Sequence, residues 1–373
     1  STLMRSSAAS DVYKRQGYVG SNESKAGNPD LTWEKAIKWN VGADVKFWGD
    51  RIGLTFDYFM EHRDNILCNR NTVPTIIGIS ASNLPAYNMG RMRNSGWDGE
   101  ISVGDRIGDW SYFVKANFTY AHNKILEQDE VIRNEDYLYR TGLRYGQFFG
   151  YVADGIFNSW EEVNAAGRPE YVMANNNNKI QPGDVRYVDI NGDGKINDDD
   201  QVPIGYSNFP EIMYGISLGG SYKNLDISLL FQGATHVSNM PSRRIMRGFY
   251  EYTGANRDLL KSWSYERFVN NQKIVYPRYG VNGVGHNYLT STYWLEDASY
   301  LRLKNVEVGY TFRQESLKKA GIGSIRIYVN GSNLLTWTDM LPGQDPEVAN
   351  AGVTNSEPYP VTRVFNFGLN VNF

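Results

Sequence analysis

The feature that most limits how this chain can fold is a strict two-residue alternation of apolar and polar side chains, repeated in long segments. In an extended strand successive side chains point to opposite faces, so such a segment presents one oily and one wet surface. From Asn40 to Phe47, Val41, Ala43, Val45 and Phe47 share one face, and Asn40, Gly42, Asp44 and Lys46 share the other. After a turn at 48–51, Ile52, Leu54, Phe56, Tyr58 and Met60 alternate with Gly53, Thr55, Asp57 and Glu61. The pattern returns around Trp97–Val103, Trp110–Tyr120, Tyr214–Tyr222, Leu225–Gln232, Val306–Phe312, Ile325–Asn330 and Phe365–Phe373. This predicts about nine strands of roughly ten residues, the length of a tilted strand crossing a bilayer; soluble strands usually have about five or six.

The connections carry a second signal. Short links at 48–51, 104–109, 223–224 and 313–323 alternate with long ones at 62–88, 124–211, 236–298 and 336–360. Outer-membrane barrels combine short periplasmic turns with long extracellular loops. On that assignment the last strand runs inward and Phe373 lies at the periplasmic rim.

Composition agrees with this. Mean hydropathy is −0.49, and no apolar run is long enough for a helical span, which needs about 18 residues. Alternating strands stay near neutral in hydropathy, so a membrane barrel is not excluded. A net charge of −3 argues against nucleic-acid binding, which needs a concentrated basic footprint. The 26 Tyr and 9 Trp suit membrane interfaces, and equally an aromatic-rich soluble glycan-binding β protein. Cys68 is the single cysteine, so no disulfide forms within the chain. The four histidines, His62, His122, His236 and His286, are scattered in sequence. Residues Ser1–Gln16 lack both the apolar core of a signal peptide and the later patterning. They are expected to be non-native or disordered, with 17–373 forming the barrel portion of a chain incomplete at its start.

Several spaced motifs resemble the SusC/RagA-type TonB-linked outer-membrane proteins of Bacteroidetes. They are Asn28-Pro-Asp-Leu-Thr-Trp-Glu-Lys35 followed by Trp39–Asp44, the stretch Pro182–Gly194, Ser299–Asn305 with Val308–Phe312, Tyr328–Thr336, and Asp345-Pro-Glu-Val348. The resemblance implies an all-β fold. The chain would be the C-terminal part, about nine strands, of an antiparallel 22-stranded transmembrane β-barrel in the outer membrane of a Gram-negative bacterium. Plug domain, TonB-contacting segment, signal sequence and roughly thirteen strands would be absent. Thirteen is odd, so a chain starting in the periplasm would emerge outside near Asn28, as the loop lengths also require. The resemblance further implies TonB-driven import of oligosaccharides or peptides, with a SusD-like surface lipoprotein as a lid.

Three groups of residues are site candidates. Asp189, Asn191, Asp193, Lys195 (through its carbonyl), Asn197 and Asp200 fit the spacing of a calcium loop, with Gly194 at the sharp turn. Asp replaces the usual Glu at the last position, and the flanks do not look like EF-hand helices, so a metal-free acidic loop is the other reading. A bound Ca²⁺ would stiffen an extracellular loop. Phe365, Phe367, Leu369, Val371 and Phe373 resemble the terminal strand read by the barrel assembly machinery, or form an ordinary last strand. Trp160, Phe249, Tyr250, Trp263 and Tyr288 offer rings that could stack on sugars or pack loops together. Glu161-Glu162 and Asp198–Asp200 are expected to be solvated or metal-linked carboxylates. Gly280–Gly285 and Asn175–Asn178 are read as loop, and Gln314–Ala320 as a short surface helix.

The sequence thus predicts a transport protein in contact with lipid, not an enzyme. An incomplete barrel wall predicts that this polypeptide alone does not transport. The rivals are a soluble glycan-binding protein and a secreted carbohydrate-active enzyme; a passive porin is a variant within the same class. The transported substrate is not legible.

Overall fold

A computed structural model describes residues 27–73, 76, 83–172, 180–250, 254–280, 285–314, 317, 319, 321–348 and 359–373. The readings of Ser1–Gln16 and Asn175–Asn178 lie outside these residues, as do most of those of Gly280–Gly285 and Gln314–Ala320.

The described residues contain one nine-stranded sheet. Its strands are β1 (Lys35–Phe47), β2 (Ile52–Cys68), β3 (Tyr87–Ile107), β4 (Trp110–Glu127), β5 (Ile212–Tyr222), β6 (Leu225–Thr235), β7 (Tyr300–Phe312), β8 (Ser324–Thr338) and β9 (Val364–Asn372). They pair in chain order, each antiparallel to the next. Among the described residues β1 and β9 are the edges, and the sheet is not closed.

The register turns the alternation into rows. One row reads Val45, Leu54, Ile101, Ala116, Ile216, Phe231, Leu303, Leu335 across β1 to β8. The adjacent row, on the opposite face, reads Asp44, Thr55, Glu100, Asn117, Gly215, Gln232, Arg302, Thr336. A one-residue slip at any pair would mix these rows, so the two-faced pattern fixes the register. Val45, Leu54, Ile101 and Leu335 stay 42–49% exposed, an apolar surface of the kind a lipid phase covers.

Aromatics border that surface at both ends. Near the short turns, Trp110 stacks on Tyr222 at 4.4 Å and Tyr310 meets Phe312 at 4.8 Å. Towards the long loops, Trp97 packs on Tyr58 at 4.7 Å and Phe56 at 5.2 Å. Ten residues separate the Trp97–Tyr120 pair from the Ile107–Trp110 pair along each strand. At a rise of about 3.4 Å and a tilt of about 40°, that is a band ~25 Å tall, the height of a barrel's apolar belt.

The strands outrun the sequence-based expectation, reaching 21 residues in β3. The turn expected at 104–109 contracts, because Gly104–Ile107 continue the ladder against Trp110–Phe113. Gly108, at φ +60°, takes the left-handed turn position that a side chain would strain. Beyond the belt the longer strands continue and carry the long loops. Those loops hold four small sheets of their own: 147–150 with 202–207, 153–156 with 185–187, 170–171 with 195–196, and 238–239 with 296–297. Their cores are clusters such as Tyr151, Val185, Tyr187 and Ile196, and Met246, Tyr276, Tyr288 and Trp294.

The two faces make opposite predictions for chemical labelling. In a Cys68→Ser background within the intact bilayer-embedded protein, Phe56→Cys and Leu229→Cys are expected to resist a charged maleimide. Thr55→Cys and Gln232→Cys should react. Fast labelling of the first pair would overturn the lipid assignment.

Candidate functional site

The polar face forms a wall of paired groups. Thr55 donates to Asp44 (2.6 Å), Thr119 donates to Asp98 (2.7 Å), and Lys115 lies 2.9 Å from Glu100. Arg326 bridges Asp226 and Glu307 nearer the short-turn end, donating to Glu307 at 2.7 Å. A wall of this kind stays hydrated.

Above the wall, buried charge ties the loops together. Asp184 is fully buried and accepts from Arg278 Nε (2.5 Å) and from the Asn287 amide (2.8 Å), while His286 Nε2 lies 3.0 Å away. Burial pushes its carboxyl up, but the hydrogen bond and charge of His286, with Arg278 and Asn287, outweigh that. The group therefore titrates below the ordinary aspartate range. Asn287 also accepts from the Val185 backbone N–H at 2.8 Å, so one knot fastens the loop after β4 to the loop after β6.

A second knot joins β7 to the loop after β8. Arg302, 2% exposed, donates to Asp345 and Glu347 at 2.5 Å each, and Lys304 donates to Glu347 at 2.5 Å. Asp345 also accepts from the Val361 backbone N–H at 3.0 Å. Two motifs quoted separately from the sequence, Ser299–Asn305 and Asp345–Val348, are therefore two halves of one contact.

A third knot brings together histidines that are scattered in sequence. Glu211 is 5% exposed and meets His122 Nδ1 (2.6 Å), His236 Nδ1 (3.3 Å) and Arg144 Nε (2.5 Å). Burial raises its carboxyl, and His122 and Arg144 more than reverse that, leaving it below the usual glutamate range. No spacing rule would have found this knot, because its members lie on four segments.

The loop Asp189–Asp200 folds as a chain of side-chain caps. Asp189 accepts from the N–H groups of Gly192 (2.7 Å) and Gly194 (2.8 Å), Asn191 from Asp193 (3.1 Å), and Asp193 from Lys195 (2.8 Å). Asn197 caps the turn 198–200 through Asp199 N–H at 2.6 Å. Asp200, fully buried, accepts from Ile190 and Asn197, both at 2.8 Å. Among the described residues no three acidic, His or Cys side chains converge as a metal cluster. The donors that fit a hard cation are nonetheless oxygens drawn onto one short loop.

The five candidate stacking rings are not brought together. Trp160 and Phe249 are exposed, at 55% and 68%. Tyr250 faces Arg247, at 5.7 Å. Trp263 donates to Asn158 at 3.1 Å. Tyr288 is buried in the loop core against Trp294. On β9, Phe365, Phe367 and Leu369 are exposed and Val371 is half-buried; Phe373, just beyond the strand, is exposed.

The two-faced antiparallel meander, belted by aromatics and crowned by long loops, defines a segment of a membrane β-barrel wall. Residues 2–334 match the family model described as "TonB dependent receptor-like, beta-barrel", and the chain belongs to that family. TonB-dependent receptor P3 of Formosa agariphila is 28% identical over 399 residues, covering 100% of this chain and 37% of that protein. TonB-dependent receptor SusC of Bacteroides thetaiotaomicron is 25% identical over 372 residues, covering 95% and 34%. Among solved structures, the RagAB peptide importer in its open-open state superposes with a TM-score of 0.69 at 23% identity, covering 94% of this chain and 36% of that one. The chain thus spans little more than a third of the length of these relatives.

Asp184→Ala would take the anion from Arg278, whose side chain is 18% exposed, and the acceptor from buried His286 and Asn287. Breaking a fully buried pair costs about 3–5 kcal/mol, and the partial exposure of Arg278 places this change at or below the lower end. Faster proteolysis within 128–211 and 236–299 is the expected readout, with the sheet intact. Both depressed carboxyls give the same sign with pH. Their stabilisation is complete above the unfolded carboxyl value of about 4 and is lost as pH falls through the lower folded value. Loop protection factors, that is exchange relative to an unstructured peptide at the same pH, should therefore stay high from pH 7 to pH 5 and fall below pH 4. Protection that falls on going up from pH 5 would contradict this.

Proposed function

We propose that this chain is part of a TonB-dependent outer-membrane importer that takes up glycans or peptides through a barrel capped by a SusD-like lipoprotein. The carrying observation is the pairing of the apolar row from Val45 to Leu335 with the polar row from Asp44 to Thr336 on the other face of the sheet, in a member of this receptor family. SusC and the RagAB peptide importer among the relatives support the substrate range. A two-faced wall suits a membrane pore better than a soluble glycan-binding module or a secreted enzyme. The function proposed is transport, not catalysis.

The polypeptide by itself is proposed not to transport. Edges β1 and β9 expose unpaired backbone groups, each costing several kcal/mol in hydrocarbon. Uptake by cells carrying the intact protein is expected to stop when TonB is deleted, and a surface lipoprotein should co-purify. Uptake that persists without TonB would point to a passive porin. The outward residues of β9 with Phe373 are proposed as the assembly signal. In the same cells Phe373→Ala should lower the heat-modifiable, membrane-inserted fraction.

Asp189–Asp200 is proposed to hold Ca²⁺ through Asp189, Asn191, Asp193, the Lys195 carbonyl and Asn197, with Asp200 closing the loop. The ion would add rigidity only. Terbium luminescence sensitised by nearby Tyr should appear on titration and vanish in Asp189→Ala. An equal signal in that variant would leave the loop metal-free.

A further inference from the structure

Where the polar wall rises past the Trp97–Tyr120 pair into the loops, it forms the floor of a cavity of about 520 Å³. The floor is the row Glu61, Asn94, Asn123 across β2, β3 and β4. One side is a pair of aromatic rings, Tyr145 and Phe209, with centroids 6.2 Å apart and planes 24° from parallel. These rings remain 56% and 50% exposed although the segments carrying them are tightly held. Asn123 accepts from the Tyr145 backbone N–H at 2.7 Å. Arg144, next to Tyr145, is clamped to Glu211, two residues beyond Phe209. Gly146 lets the two segments close, since a Cβ there would stand 2.8 Å from Asn208 Oδ1 and 3.6 Å from the Phe209 ring.

We infer that this cavity is a subsite for a neutral oligosaccharide at the extracellular mouth of the barrel. The inference rests on the importer reading and selects one of its two substrate classes. A pyranose presents an apolar face of axial C–H bonds and a rim of hydroxyls. A rigid aromatic platform matches the face, and the amides of Asn94 and Asn123, the latter held by the Tyr145 N–H, match the rim. Most charges around the floor are matched within the protein, the lining Arg93 excepted among the described residues. Arg63 donates to Glu61 at 2.6 Å and lies 3.4 Å from Glu34, and Lys38 lies 3.2 Å from Glu61. A neutral guest therefore fits better than an ionic one. A peptide is the poorer fit for a second reason. Extended peptides gain affinity by adding a strand to an open edge, and this floor is a sheet face whose ladder hydrogen bonds are already made.

The test uses the intact protein in detergent and calorimetric titration with short gluco-, xylo-, manno- and galacto-oligosaccharides, beside a panel of short peptides. At least one saccharide should bind. Tyr145→Ala and Phe209→Ala should weaken it by about tenfold or more, and Tyr145→Phe should retain it because the ring face remains. Saccharide affinity unchanged in both alanine variants would overturn the inference, as would no saccharide binding at millimolar concentration. Peptide binding that depends on the two rings would overturn it in favour of the other class. The importer reading is judged separately: TonB-dependent uptake that survives in the alanine variants sinks only the subsite, whereas TonB-independent uptake by the parent sinks the importer.

Discussion

Backbone hydrogen bonding in hydrocarbon is the constraint from which the rest follows. Lipid offers no partner for a peptide N–H or C=O, so a crossing strand must find both neighbours in the sheet. β2 to β8 each have a partner on either side. This leaves the side chains free to differ by face, and the rows through Val45 and Asp44 show how completely they do. Hydrophobic burial here is against solvent lipid and not against a protein core. That explains why the sheet carries exposed Val, Leu, Ile and Phe, while the compact clusters of buried side chains lie largely in the loops.

Those loops face a different problem. Segments of 84 and 64 residues, 128–211 and 236–299, would lose much conformational freedom on ordering, and the short strand pairs within them contribute few ladder bonds. Buried ion knots supply the long-range ties. Asp184, Arg302 and Glu211 each collect partners from distant segments, and each is shielded from water, where such pairs hold geometry best. Their energetic value lies less in net attraction than in the cost of any alternative packing that strands one charge.

The nine strands were legible because alternation reports both faces at once, and a membrane enforces it without relaxation across the belt. Their ends were not. Tyr87–Ser95 of β3 lies beyond the belt with polar residues on both faces, so no period-2 signal marks it as strand. The irregular pairing between Leu303 and Asn305 likewise leaves no trace in composition. The loop core was hidden for a different reason: Asp184 meets Arg278 across 94 residues and Asn287 across 103, and neither neighbour is special in its own local sequence. Motif resemblance recovered part of this indirectly. Ser299–Asn305 and Asp345–Val348 were each recognisable, and only the fold shows that Arg302 and Lys304 of one hold Asp345 and Glu347 of the other. Tyr145 and Phe209 escaped notice because nothing local separates them from the chain's other loop aromatics.

Glu211 links these levels. Its backbone carbonyl accepts from Ala121 N–H at 2.8 Å, extending the β4–β5 ladder by one step as the strands leave the belt. Its carboxylate then gathers Arg144, His122 and His236 from the loop bases. Arg144 in turn lies over the Tyr206 ring at 5.1 Å, and Tyr206 stacks on His236 at 4.5 Å. The same residue thus ends the regular wall and fixes the base of the loop crown. A ring pair mounted on such a junction inherits the rigidity of the sheet instead of the freedom of a loop. That rigidity lowers the entropy lost when a ligand is held, which is the physical reason to place recognition at the barrel mouth rather than at the loop tips.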